Sequence, residues 1–144
     1  MIYLDTSSLV ALYFPEEKTA EIVAYLRKTR LPIAFTWLHE LEFTNGLQLK
    51  LFRGEAPEAA VNGTLNQVLH DVEKGVLYQS ALSWPEVFQI SLRLSRAYSC
   101  ICGTRSLDLL HVATAIALEA KEFMTCDERQ ANVATKEGLR LVKI

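Results

Sequence analysis

Met1-Ile2-Tyr3-Leu4-Asp5-Thr6-Ser7-Ser8 reads as a short apolar strand that ends on a carboxylate and runs straight into a helix start. An apolar run bounded by capping residues suits a buried strand of a parallel sheet. The Thr-Ser-Ser that follows suits a helix N-terminus. Asp5 then stands at the carboxyl end of its strand, the edge at which open α/β sheets bind ligands. Burying an unpaired carboxylate is costly, so Asp5 is expected to meet a cation or a set of hydrogen-bond donors.

The alternation begun by this segment continues along the chain. Ser8 to Phe14 forms a short helix stopped before Pro15, and Glu17 to Lys28 carries Ile22, Val23 and Leu26 at helical spacing. Pro32 to Phe35 is a second strand, and Thr36 caps a long helix running to Phe52 and ended by Gly54. Pro57 opens a helix with Ala60, Val61, Leu65, Val68 and Leu69 along one side, and Val76-Leu77-Tyr78 is a third strand. A helix from Pro85 fades near Gly103, Ser106 caps another from Leu107 to about Ala120, and Glu122 to Thr125 is a fourth strand. Glu128 to Lys136 is the last helix and Leu139 to Val142 the fifth strand. Strands separated by helices imply an α/β fold: a three-layer sandwich in which a central parallel sheet of about five short strands is flanked by helices.

Composition sets the limits. The 144 residues suit one domain spanning 1–144, with 50% hydrophobic and 22% charged residues, ordinary for a compact soluble protein. The formal net charge of −2 means that any nucleic-acid binding must come from a local basic patch. No signal-peptide pattern and no membrane-length apolar run is present, so a cytoplasmic location is expected. Cys100, Cys102 and Cys126 make an odd count without C-x-x-C spacing, and buried free thiols are expected.

Three aspartates sit where such strands and helices meet: Asp5 at the end of strand one, Asp108 in a first helical turn, and Asp127 just after strand four. Asp5 and Asp127 can meet if strands one and four are neighbours. Glu42 interrupts the row Leu38, Asn45, Leu49, Phe52, whereas Glu40 lies about 200° away around the same helix, so only one of the two can face the site. Spacing alone does not choose between them. Plain structural roles compete with a metal site: Asp5 and Asp127 as N-caps, Asp108 as a first-turn acid suited to the helix dipole, Glu42 as partner of a lysine or arginine. His111 lies one turn after Asp108 and is expected to be packed and hydrogen-bonded, while His39 and His70 carry no distinguishing context.

Taken in series, Met1-Ile2-Tyr3-Leu4-Asp5-Thr6-Ser7, Glu42-Phe43-Thr44-Asn45-Gly46-Leu47, Leu107-Asp108-Leu109-Leu110-His111-Val112-Ala113-Thr114-Ala115 and Met124-Thr125-Cys126-Asp127-Glu128-Arg129 resemble a PIN-domain ribonuclease. The likeness is greatest to VapC-type toxins of toxin–antitoxin pairs, and it covers essentially the whole chain. It favours Glu42 over Glu40, with Gly46 standing where an alanine is more usual. The resemblance implies a PIN-like fold and a Mg2+-dependent endoribonuclease, with Mn2+ able to substitute. Asp5, Glu42, Asp108 and Asp127 would be its catalytic and metal-binding acids, Asp5 and Asp108 binding directly and Glu42 and Asp127 through water or a second metal. Thr6, Ser7 and Thr125 would orient them from behind. It also implies an RNA substrate, a cognate antitoxin and a homodimer. The donor chemistry agrees: carboxylates hold hard cations with waters attached, and a bound cation lowers the pKa of its water.

Lys50, Arg53, Arg93, Arg96 and Arg105 are the basic residues nearest these segments and could steer a phosphate backbone. A haloacid-dehalogenase-type phosphotransferase would need Asp-x-Asp where this chain has Asp5-Thr6-Ser7. A receiver module would need an Asp where the third strand runs into Gln79-Ser80-Ala81. A non-catalytic PIN-like RNA-binding or interaction module is the remaining alternative. Apolar residues on more than one face of the 17–28 and 37–52 helices point to partner surfaces.

Overall fold

A computed structural model describes residues 1–144. Five strands, β1 (Ile2–Leu4), β2 (Ile33–Phe35), β3 (Leu77–Gln79), β4 (Glu122–Met124) and β5 (Arg140–Val142), form one parallel sheet in the order β3-β2-β1-β4-β5. The helices are α1 (Thr6–Tyr13), α2 (Thr19–Thr29), α3 (Trp37–Phe52), α4 (Glu58–Glu73), α5 (Trp84–Leu94), α6 (Ser106–Ala117) and α7 (Glu128–Lys136). The α/β sandwich expected from the alternating pattern is the one found. The strand order also differs from the 2-1-3-4-5 order of receiver modules.

Period-two alternation divides the core between two faces. Ile2 and Leu4 point into a cluster with Leu9, Ile22, Phe43, Leu47 and Val61, contributed by α1 to α4. Tyr3 points the other way, into a cluster with Phe123 of β4 and with Val87, Leu94, Val112 and Val133, contributed by α5 to α7. Tyr3 lies parallel to Phe123 on the adjoining strand, with centroids 5.6 Å apart. Both faces of β1 are thus buried, which is why its sequence is apolar throughout and why Asp5 stands out at its end.

Most element edges move by a residue or two from the sequence reading, and α6 stops at Ala117, three residues before Ala120. α1 starts at Thr6 because Asp5 caps it directly, and β3 is displaced to Leu77–Gln79. α3 ends at Phe52 with Arg53 as its C-cap, and Gly54 follows with φ of 71°, a conformation that glycine adopts without steric cost. The helix from Pro85 begins one residue earlier, at Trp84, with Pro85 in its first turn. Its end is irregular: a π-helical turn over Ser95–Ser99 and a last turn over Cys100–Cys102 precede Gly103. That irregularity overturns the expectation of buried thiols. Cys100 is exposed and Cys102 half-buried on this loose turn, Cys126 is exposed on the loop after β4, and all three are free.

In this topology the chain runs from β1 out to β3 on one side, then returns to place β4 and β5 on the other. β1 and β4 therefore flank the switch point, with Leu4 level with Met124. The crevice beyond their carboxyl ends is where an open α/β sheet presents ligands.

Candidate active site

The local sequence explains why acids gather at this edge. The Asp5 backbone amide donates to the Met124 carbonyl at 2.9 Å, which carries the β1–β4 ladder one step past the strands. The Asp5 side chain, 2% exposed, caps α1 by accepting from the Ser8 amide at 2.8 Å. It also accepts from the Ser7 hydroxyl and, at 2.8 Å, from the Thr125 hydroxyl. No lysine, arginine or histidine pairs with it.

Asp127 does not touch Asp5 directly. Thr125 stands between them: its hydroxyl donates to Asp5 and accepts from the Asp127 amide at 3.0 Å. Asp127 caps α7 through Oδ1, which takes the Arg129 and Gln130 amides. Asp108 accepts the Arg105 amide on Oδ2 at the start of α6, and Oδ1 receives a long 3.4 Å contact from Gln130 Nε2. Gln130 thereby touches both Asp127 and Asp108. The buried amide oxygen of Gln130, Oε1, has no hydrogen-bond partner.

Glu42, not Glu40, reaches this edge. Its Oε2 accepts the Thr6 hydroxyl at 2.7 Å and meets His111 Nε2 at 2.5 Å. Glu40 is exposed and lines a hollow of about 230 Å3 with Phe43 and Val68, between α3 and α4. The sequence anticipated a lysine or arginine as Glu42's structural partner; the partner is His111, from α6. The buried His111 ring takes the Tyr3 hydroxyl on Nδ1 at 2.8 Å, a pattern satisfied by a neutral imidazole donating from Nε2. Burial opposes a charge on Glu42, but the His111 and Thr6 donors outweigh it and hold the carboxyl below its ordinary range.

Two hydrogen-bonded segments joined by the Asp5–Thr6 peptide link therefore connect all four acids: Glu42 to Thr6, and Asp5 to Thr125, Asp127, Gln130 and Asp108. Thr6, Ser7 and Thr125 each donate a hydroxyl to an acid. Tyr3, His111 and Gln130 belong to the same network, although only the i, i+3 spacings of His111 from Asp108 and Gln130 from Asp127 hinted at it. No three His, Cys, Asp or Glu side chains converge into a ligand group in this arrangement. The donor chemistry nevertheless fits a hard divalent cation. Every candidate ligand is a carboxylate oxygen, Asp5 is buried with neutral donors only, and Gln130, whose Nε2 reaches Asp108, carries an unpartnered buried oxygen.

His39, unremarkable in the sequence, is fully buried behind this edge. Its Nδ1 accepts the Thr36 amide at 3.1 Å and its Nε2 donates to the Leu4 carbonyl at 2.8 Å. Burial, with His111 nearby, lowers its pKa from 6.5 to about 3, so the folded protein holds it neutral. The unfolded chain binds this proton near pH 6.5 and the folded chain only near pH 3, so stability is lost as pH falls between these values. From pH 7 to pH 5 the expected loss from this group is about 2 kcal/mol. Urea denaturation at the two pH values measures it, and His39→Gln should flatten the difference. Equal wild-type stability at pH 7 and 5 would show that a charged His39 is accommodated.

The comparisons with known proteins agree with this architecture. The PIN domain family model matches residues 2–136. The crystal structure of FitAcB from Neisseria gonorrhoeae is similar at 20% identity and a TM-score of 0.64, covering 99% of this chain and 97% of that one. The crystal structure of VapBC2 from Rickettsia felis bound to a DNA fragment from their promoter is similar at 20% identity and a TM-score of 0.66, covering 99% and 98%. No curated protein matched by sequence.

Proposed function

The chain belongs to the PIN domain family, and from that premise we propose that it is a Mg2+-dependent endoribonuclease, the toxin of a VapC-type toxin–antitoxin pair acting in the cytoplasm. The observation that supports the reading is the network of hydrogen bonds, continued through the Asp5–Thr6 peptide link, that connects Asp5, Glu42, Asp108 and Asp127 beyond the carboxyl ends of β1 and β4. When bound, a divalent cation supplies charge to the phosphoryl oxygens and acidifies its water. Asp5 and Asp108 are the direct ligands in this reading. Glu42 and Asp127 act through water or at a second cation, and Mn2+ substitutes for Mg2+.

The remaining residues set the posture of these acids. Thr125 and Ser7 fix both oxygens of Asp5, so its carboxylate plane is set by the fold. Asp127 uses Oδ1 for its cap, which leaves Oδ2 for a ligand or a water. Glu42, kept ionised by His111 and Thr6, is placed to orient an attacking water and receive its proton. Tyr3 locks the His111 ring from the core side. The test is cleavage of a labelled RNA with Mg2+, with Mn2+ and with excess chelator; undiminished cleavage in chelator would sink the metal-dependent reading and leave a metal-free or non-catalytic module.

Apolar surface supports the assembly half of the proposal, with one correction. On α2 the apolar side is satisfied inside the chain, for Ile22 is buried and Tyr25 and Leu26 pack against the core. The excess lies on α3 and α5: Trp37, Leu41, Phe52, Phe88 and Leu92 are all more than half exposed. Trp37 and Trp84 lie nearly parallel, 13° apart, where the starts of these helices meet. A second copy and an antitoxin segment are the occupants we propose for this surface, the antitoxin offering an arginine to the carboxylates. The solved complexes named FitAcB and VapBC2 support a protein partner. Light scattering is expected to give a dimer at micromolar concentration and a monomer for Leu41→Glu. A stable wild-type monomer would count against the dimer alone.

A further inference from the structure

Several of the basic residues nominated by the sequence are already engaged. Lys50 pairs with Glu16 at 3.0 Å, Arg53 with Glu55 at 3.8 Å, and Arg93 grips both carboxylate oxygens of Glu137. A different set lines a concavity that adjoins the site. A concavity of about 810 Å3 is lined by Lys18, Lys136 and Lys143, and its wall includes Thr125 and Asp127. The three lysines come from separate elements: the start of α2, the last residue of α7 and the segment after β5. None of them takes part in a salt bridge. Lys18 Nζ donates to the Ile144 backbone oxygen at 2.9 Å and to Cys126 Sγ at 3.5 Å.

Three features identify the ligand. The groove opens into the acid network, because Thr125 and Asp127 belong to both. Its lysine side chains outnumber its acidic side chains, Asp127 and Glu128, and Asp127 is a residue whose charge the bound cation would offset. No aromatic side chain lines it, so it offers no platform for stacking a base. Ammonium groups with neutral donors such as Asn132 and no aromatic surface suit a sugar–phosphate backbone, which binds through charge and carries no sequence information.

We propose that the Lys18–Lys136–Lys143 groove seats the phosphates of single-stranded RNA on one side of the scissile bond, holding the strand without reading its bases. This rests on the ribonuclease reading above. A strand cut at the acids would continue along the groove, so these lysines are positioning residues for that reaction.

The test is binding of a fluorescein-labelled single-stranded RNA followed by anisotropy across a salt series, in an Asp5→Asn background that leaves the strand uncut. Each phosphate contact on a single strand contributes about 0.7 to the slope of log affinity against log salt. Lys136→Gln with Lys143→Gln is expected to lower that slope by about 1.4 and to weaken binding about tenfold at 0.1 M salt, equally for unrelated sequences. Lys136→Arg with Lys143→Arg should restore both. Lys28→Gln with Lys74→Gln, the same loss of net charge outside the groove, should leave the slope unchanged. Bound RNA should also slow alkylation of Cys126, which lines the groove, and spare that of exposed Cys100. An unchanged slope in the glutamine pair, with wild-type protein still cutting RNA in Mg2+, overturns the groove alone. Wild-type protein that neither binds nor cuts RNA overturns the groove together with the ribonuclease reading.

Discussion

Asp5→Asn and Asp108→Asn are each expected to lower RNA cleavage by about 10³-fold or more, the scale on which loss of a preorganised charge-stabilising group acts. The fold should survive both changes. An asparagine carbonyl at position 5 can still accept the Ser8 amide, and asparagine is as good a cap as aspartate. The Ser7 and Thr125 hydroxyls rotate freely and can accept from the new amide. At position 108 the amide oxygen can still take the Arg105 amide. The melting temperature without metal is therefore expected to hold within about 4 °C, the shift produced by roughly 1 kcal/mol in a chain of this size. The sharper readout is metal linkage. Mn2+ should raise the wild-type melting temperature through binding to the folded state and should do so far less in either variant. Full Mn2+ stabilisation of Asp5→Asn together with normal cleavage would remove Asp5 from the centre.

The legible parts of this molecule were those that local physics decides. β1 and α7 read clearly because each has a strong signal at its boundary: a buried apolar run ending on a cap in one case, Asp127 before an amphipathic helix in the other. Parallel pairing followed from the alternation of elements. What local physics does not decide is partnership across the fold. Thr125 as the bridge between two aspartates depends on the β1–β4 register, which no spacing encodes. His39 has no distinguishing context in the sequence, since its long-range partner lies elsewhere in the fold. It is buried because the first turn of α3 directs it, with Leu38, toward the sheet, where it reaches the Leu4 carbonyl. The lysine groove was invisible for the same reason, since residues 18, 136 and 143 meet only after the sheet closes. The three aspartates show why structural and functional readings of a motif need not compete. Each acts as a helix-start acceptor, and that role is what holds its carboxylate at the sheet edge.

Glu42→Gln and Glu40→Gln offer the clearest internal control. Both lie on α3, two residues apart, and carry the same chemistry, so net charge and helix propensity change alike. Glu42 is 22% exposed and receives Thr6 and His111, while Glu40 projects to solvent on the far side, above Phe43 and Val68. Glu42→Gln is expected to cost about 10²-fold or more in cleavage rate, as loss of a positioned acid–base group does. Two causes combine in that loss. The amide cannot accept a proton from an attacking water, and it no longer offers His111 Nε2 a charged acceptor, so the Tyr3–His111 contact behind it loosens. Glu40→Gln should leave the rate within about threefold, as befits an exposed change. A pH–rate profile separates chemistry from misfolding. The wild-type acid limb should reflect a carboxyl held below its ordinary range, and that limb should flatten in Glu42→Gln while the Glu40→Gln profile overlays the wild type. The opposite ranking, with Glu40→Gln the damaging change, would show that the working face of α3 is the one turned toward α4.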